Sequence, residues 1–189
     1  MNEFLSNGLP GASLFAIVAG FLVLAAFIVY TKRGKPRTLD SILNKVAYER
    51  IDGLIIPKID EGEIQIDHLV LTTQGLLIIE VKEVQGAVFG SDEMDSWTVI
   101  ADGKRFTFNN PQPALYERIA AVKQIVRQVP VAGKVVFLDG AEFNKGVPSL
   151  VANLDELQSE FGHRDQEAAR AIIEAFRPHW EQIKAWAAS

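Results

Sequence analysis

The chain has 189 residues, 48% of them hydrophobic, no cysteine, and a formal net charge of -5. Disulfides and thiolate metal centres are excluded, and the length allows one globular domain beside a membrane segment. Polyanion binding through overall charge is excluded as well, so any such contact must rest on a local patch.

Residues 1–12 form a short tail with Glu3 as its one charged side chain. Residues 13–30 read SLFAIVAGFLVLAAFIVY, without charge or proline. As a helix they would extend about 27 Å at 1.5 Å per residue, close to the hydrocarbon thickness of a bilayer. Their Leu, Ile, Val and Phe side chains favour insertion by several kcal/mol in sum. A cleaved signal peptide fits poorly, because no Lys or Arg precedes the run and no small-x-small site follows it. Residues 31–37 are a basic linker with Lys32, Arg33, Lys35 and Arg37. Positive charge on this side predicts a single-pass inner-membrane protein, N-terminus outside and residues 38–189 as a cytoplasmic domain, with lipid headgroups meeting the linker.

Within that domain, residues 38–48 have helical spacing (Leu39, Ile42, Leu43, Val46), with Thr38 as N-cap. Residues 53–57 read as a short strand. Two apolar runs, 64–72 and 76–82, joined at Gln74 and Gly75, signal a hairpin. Both are apolar on both faces, which predicts central strands covered on each side. A third short strand follows at 87–89, then an acidic, turn-rich loop over 92–102 around Trp97 as a packing anchor. Residues 113–129 are amphipathic, and 134–138 and 150–152 read as further strands. Two helices close the chain, 154–161 and 166–187, the second interrupted or kinked at Pro178. The order predicts an α/β fold, one mixed sheet with helices against it.

Three ionisable residues interrupt the most apolar strands: Asp67 in EIQIDHLVL, and Glu80 and Lys82 in LLIIEVKEV. An unpaired buried carboxylate costs several kcal/mol, so each needs a partner, a metal or solvent. Glu80 and Lys82, two apart, share a strand face. A two-residue loop at Gln74 and Gly75 puts Asp67 opposite Lys82, and a four-residue loop puts it opposite Glu80. Either gathers all three on one face, whereas a three-residue loop would not. Two carboxylates with a lysine suit metal-dependent phosphodiester hydrolysis: Asp67 and Glu80 for Mg²⁺ or Mn²⁺, Lys82 to orient the attacking water or offset developing charge. A structural ion pair between Lys82 and either carboxylate is the competing account. His68, on the other strand face, reads as a hydrogen-bonded structural residue. Between positions 104 and 134 the basic residues Lys104, Arg105, Arg118, Lys123, Arg127 and Lys134 face one acid, Glu117. Lys123 and Arg127, four apart on one helix, are candidates for phosphate contact, against the commoner meaning of a solvated face.

The run QIDHLVLTTQGLLIIEVKEVQGAVFG from Gln65 to Gly90, followed by Trp97, Asn110-Pro111 and KVVFLDGAEF, resembles the nuclease-related domain (NERD) family. The resemblance covers residues 51–157. It implies a restriction-endonuclease-like, PD-(D/E)xK fold in which Asp67, Glu80 and Lys82 hold the catalytic motif positions. Two departures stand out. The family's upstream glutamate-bearing helix motif is missing, with Asp40 and Glu49 the acids in that region. The glutamine and histidine common after the Asn-Pro pair are replaced by Ala114 and Arg118. The function expected is a membrane-anchored, Mg²⁺-dependent nuclease acting on DNA or RNA. Two alternatives share the fold: a catalytically decayed nucleic-acid-binding module, or a membrane-bound domain that meets a protein partner.

Overall fold

The computed structural model describes residues 38–57, 62–162 and 166–187. The expected membrane helix and basic linker lie outside these residues. Among the described residues no helix is long and apolar enough to cross a membrane.

The domain opens with helix α1 (Leu39–Val46), where the Thr38 hydroxyl accepts the Ser41 N–H as the expected N-cap. Strands β1 (Glu49–Pro57), β2 (Glu63–Thr72), β3 (Gly75–Lys82), β7 (Val131–Phe137) and β9 (Val151–Ala152) form one sheet in the order β1-β2-β3-β7-β9. β1, β2 and β3 pair antiparallel, β3 with β7 and β7 with β9 parallel. β2 and β3 are central, as their two-sided apolarity requires. One face of β3 packs Leu77 and Ile79 against α1 and helix α3 (Leu154–Phe161). The other packs Leu76 and Ile78 in the larger core with helix α2 (Gln112–Ile125) and helix α4 (Gln166–Ala187).

A second sheet, not foreseen in the sequence, has the order β6-β5-β4-β8: β4 (Gly86–Phe89), β5 (Ser96–Ala101), β6 (Lys104–Asn109) and β8 (Ala141–Phe143). The architecture is therefore two mixed sheets with helices, and the loop expected over 92–102 is half strand. Its tip carries the reason: Asp102 and Gly103 both take positive φ (50° and 71°), the geometry of a two-residue hairpin turn. Trp97 is the anchor expected, fully buried, stacked on Phe137 and edge-on to Phe108 and Phe143.

Several expectations shift: β1 begins at Glu49 and not at Gly53, and β7 is Val131–Phe137 and not 134–138. The hairpin turn is Thr73-Gln74, not Gln74-Gly75, since Thr72 pairs with Gly75. Gly75 is instead the first residue of β3, where Leu76 N donates to the Pro130 carbonyl (2.8 Å) and a Cβ on Gly75 would lie 2.3 Å from that oxygen. α2 ends at Ile125, so Arg127 lies beyond it. The β-branched pair Ile125-Val126 is a weak helix former, and Val126 is extended and buried on the way to β7. α4 runs without a break through Pro178, at the cost of one backbone hydrogen bond.

Candidate functional site

Asp67, Glu80 and Lys82 meet where β2 splays from β3. The backbone pairing recorded along the two strands runs from Thr72↔Gly75 to His68↔Ile79. One step further, Asp67 stands opposite Glu80, and its Oδ2 accepts the Val81 N–H at 3.0 Å in place of a ladder carbonyl. Glu80 and Lys82 share a face by strand alternation, and the charges of Asp67 and Lys82 both reach Glu80. His68 turns to the other side, where Nδ1 lies 2.7 Å from Asp52 Oδ1, the structural role expected of it.

Glu80 is the unusual member, a carboxylate 4% exposed in a sheet face otherwise apolar. Its Oε1 lies 2.7 Å from Arg118 Nε of α2. That N–H, however, donates to the Gln65 carbonyl at 2.6 Å, a backbone group of β2 just past the splay. Glu80 Oε1 thus has a cation at contact distance but no hydrogen bond. Burial raises the Glu80 pKa above its usual value; the charges of Arg118 and Lys82 oppose the shift, and that of Asp67 adds to it. Lys82 makes no ion pair within contact distance of a described residue; the cation on Glu80 is Arg118. Lys82 acts on Glu80 through its charge, without an ion pair at contact distance among the described residues.

Glu80, Lys82 and Arg118 line one end of a cleft of about 790 Å³ between the two sheets. Its other walls are largely apolar, from Val84 and Val99 to Phe106, Phe108 and Ala114. The two positions where the resemblance places glutamine and histidine, Ala114 and Arg118, thus both front this cleft. α2 approaches β7 closely because Gly133 is there: a Cβ would meet Leu115 and Ile119 at under 3 Å.

A divalent cation would find two carboxylates, Asp67 and Glu80. Among the described residues no group of three His, Asp or Glu side chains forms a fuller set. Mg²⁺ is commonly held by one or two carboxylates with water and substrate phosphate, and Asp67 and Glu80 supply two hard oxygen donors, the Glu80 oxygen also in contact with Arg118, so the donor set fits. The upstream acids do not contribute. Asp40 pairs with Arg50, on the α1 side of the sheet (2.9 Å). Glu49 accepts from Arg177 (2.8 Å) and Trp180 Nε1 (2.7 Å), docking α4.

The other basic candidates are dispersed. Lys104 and Arg105, adjacent on β6, project to opposite faces. Lys123 lies in the last turn of α2 and Arg127 beyond its end, both exposed. Lys134 pairs with Glu160 at 2.8 Å. Asn110-Pro111 is structural: the Asn110 amide donates to the Met94 carbonyl, and buried Gln112 links Asp92 to the Leu150 N–H. Asp92, accepting from Ser149 N and Gln112, is held below the usual carboxylate range. Arg118 as the cation on Glu80 was not legible as such, because the two are far apart in sequence and no local pattern joins them.

A segment of 64 residues is 33% identical to an uncharacterized protein of Bacillus anthracis, covering 34% of this chain and 30% of the relative. The chain therefore spans under a third of that relative's length. No solved structure matches it. Residues 32–138, more than half the chain and including the hairpin, the splay and Arg118, match the nuclease-related domain. The chain belongs to the nuclease-related domain (NERD) family.

Proposed function

We propose that this is a membrane-anchored, metal-dependent nuclease of restriction-endonuclease-like fold, hydrolysing phosphodiester bonds of DNA or RNA at the splayed end of β2 and β3. The observation that carries the reading is Glu80: a buried carboxylate lining an open cleft, one oxygen in contact with Arg118 but without a hydrogen bond, near a lysine that makes no ion pair among the described residues. A fold seeking stability alone would replace such a group with an apolar one. Asp67 and Glu80 would hold Mg²⁺ or Mn²⁺, which when bound polarises the phosphoryl oxygen and lowers the pKa of a water. Lys82 orients the nucleophile or offsets charge on the phosphorane-like transition state. Arg118 supplies a further positive charge at the same end of the cleft. The test is calorimetric titration of the full chain in detergent with Mg²⁺ and Mn²⁺, alongside cleavage assays on single- and double-stranded substrates. Absence of both metal binding and cleavage rejects the reading in favour of a binding module.

The anchor and its orientation rest on residues 13–30 and the basic cluster after them. With no native cysteine, single thiols at Ser6 and Ser91 give a clean topology assay. An impermeant maleimide is expected to label Ser6→Cys, and not Ser91→Cys, in intact cells; the reverse pattern inverts the topology.

Phosphate contacts by Lys123 and Arg127 are part of the same reading, although Lys123 lies on α2 and Arg127 beyond its end. The double alanine variant is expected to weaken nucleic-acid binding across all sequences and to flatten its dependence on salt. An unchanged salt slope places the phosphate contacts elsewhere.

A further inference from the structure

Phe106 is 56% exposed, yet it belongs to the inward side of its sheet. Its cross-strand partner on β5 is Val99, which is buried, and the next residue on the same side of β6, Phe108, packs edge-on against Trp97. Side chains alternate along a strand, so Phe106 points the way Phe108 does, toward the space between the sheets. It stays exposed because the cleft is open there, and it lines the same cavity as Glu80, Lys82 and Arg118. Lys104, two residues before it, stands on the same side of β6 beside Ala101, another lining residue. One cleft therefore offers an aromatic face, apolar flanks and the cations Lys82 and Arg118, with Lys104 paired to its lining residue Ala101.

This combination selects its occupant. A nucleobase has an aromatic face and its backbone is anionic, so a base against Phe106 leaves phosphates for Lys104 and for the Lys82–Arg118 end. In a duplex both faces of every internal base are already stacked, and a wall of phenylalanine and valine offers little to paired strands. Resting on the nuclease reading above, we infer that the cleft binds single-stranded nucleic acid, with an unstacked base on Phe106. The aromatic platform is tolerant of sequence, because every base has a π-face. The sugar is left open, so both DNA and RNA strands belong in the test.

The experiment measures binding by the full chain in detergent, with EDTA to prevent cleavage. The probes are a fluorescein-labelled oligodeoxyadenylate, its duplex with oligothymidylate, the matching oligoriboadenylate, and a strand carrying abasic sites. The wild type is expected to bind the single strands at least about tenfold more tightly than the duplex. Phe106→Ala is expected to weaken single-strand binding about 5- to 150-fold, the range for loss of one stacked base. Phe106→Trp should restore it, with indole fluorescence quenched by the strand. On the abasic strand the wild type should fall to the level of Phe106→Ala, and the variant should lose little more. Phe106 is exposed, so these substitutions do not threaten the core. Equal affinity for duplex, or a change of less than twofold in Phe106→Ala, overturns the stacking proposal and leaves the nuclease reading intact. Failure of the wild type to bind any of the probes overturns both.

Discussion

Lys82→Ala is expected to lower phosphodiester hydrolysis by about 100- to 10,000-fold or more while leaving Mg²⁺ affinity unchanged or raised. Asp67→Ala and Glu80→Ala are expected to remove metal binding and hydrolysis together. The separation follows from chemistry. An ammonium cannot ligate Mg²⁺, so its loss spares the ion and removes a neighbouring repulsion, whereas Asp67 and Glu80 are the proposed hard ligands. The geometry adds a prediction about stability. Arg118, at 2.7 Å, is the cation in contact with Glu80, and Lys82 is not in an ion pair at contact distance. Removing Lys82 should therefore move the melting temperature by only a few degrees. In a purely structural network the same substitution would strand a buried carboxylate and cost about 3–5 kcal/mol. Calorimetric titration and thermal melts of the three variants decide the matter. A large melting loss in Lys82→Ala, with no metal bound by the wild type, rejects the catalytic assignment.

What the sequence disclosed depended on whether the determining contact was local. Thr38 as N-cap and the helix over Leu154–Phe161 were legible because their determinants are local; the structure adds the capping box of Asn153 with Glu156. The central placement of β2 and β3 was legible because continuous apolarity has few other meanings. The β5–β6 hairpin was missed although its signal was present: Asp102-Gly103 between WTVIA and KRFTFN is a strong two-residue turn, obscured by the acidic residues just before it. The exact turn at Thr73-Gln74 was not legible, because the need for Gly75 comes from Pro130, far along the chain. The same holds at the site. Asp67, Glu80 and Lys82 stood out as charges within apolar runs. Arg118 entered only as one of several basic residues, and as the place where the family's histidine is replaced. Neither hint predicts a guanidinium shared between Glu80 and the Gln65 carbonyl.

Arg118→Ala is expected to destabilise the metal-free domain by about 1–3 kcal/mol at neutral pH, and by much less near pH 4.5. The upper figure is set below that for a fully buried pair because Arg118 is 23% exposed and Lys82 remains nearby. The pH dependence follows from Glu80, whose pKa burial raises above 4.5 in the folded chain. Between its unfolded and folded values the native state holds more protons than the unfolded state. The contribution of Glu80 to stability is then greatest below the unfolded value, and falls as pH rises toward the folded one. Arg118 opposes the upward shift, so its removal carries the folded value higher and widens the window over which stability is lost. Melts in EDTA from pH 4 to 8 should show the two proteins converging at the acid end and diverging toward neutrality. Glu80→Gln, which replaces the carboxylate by a neutral group of similar shape, should remove most of the divergence and be at least as stable as the wild type at neutral pH. Arg118 has a second tie, its 2.6 Å hydrogen bond to the Gln65 carbonyl, and the experiment separates the two. A loss equal at every pH, and undiminished in the Glu80→Gln background, would mean that Arg118 serves the splayed backbone of β2 and not the charge on Glu80.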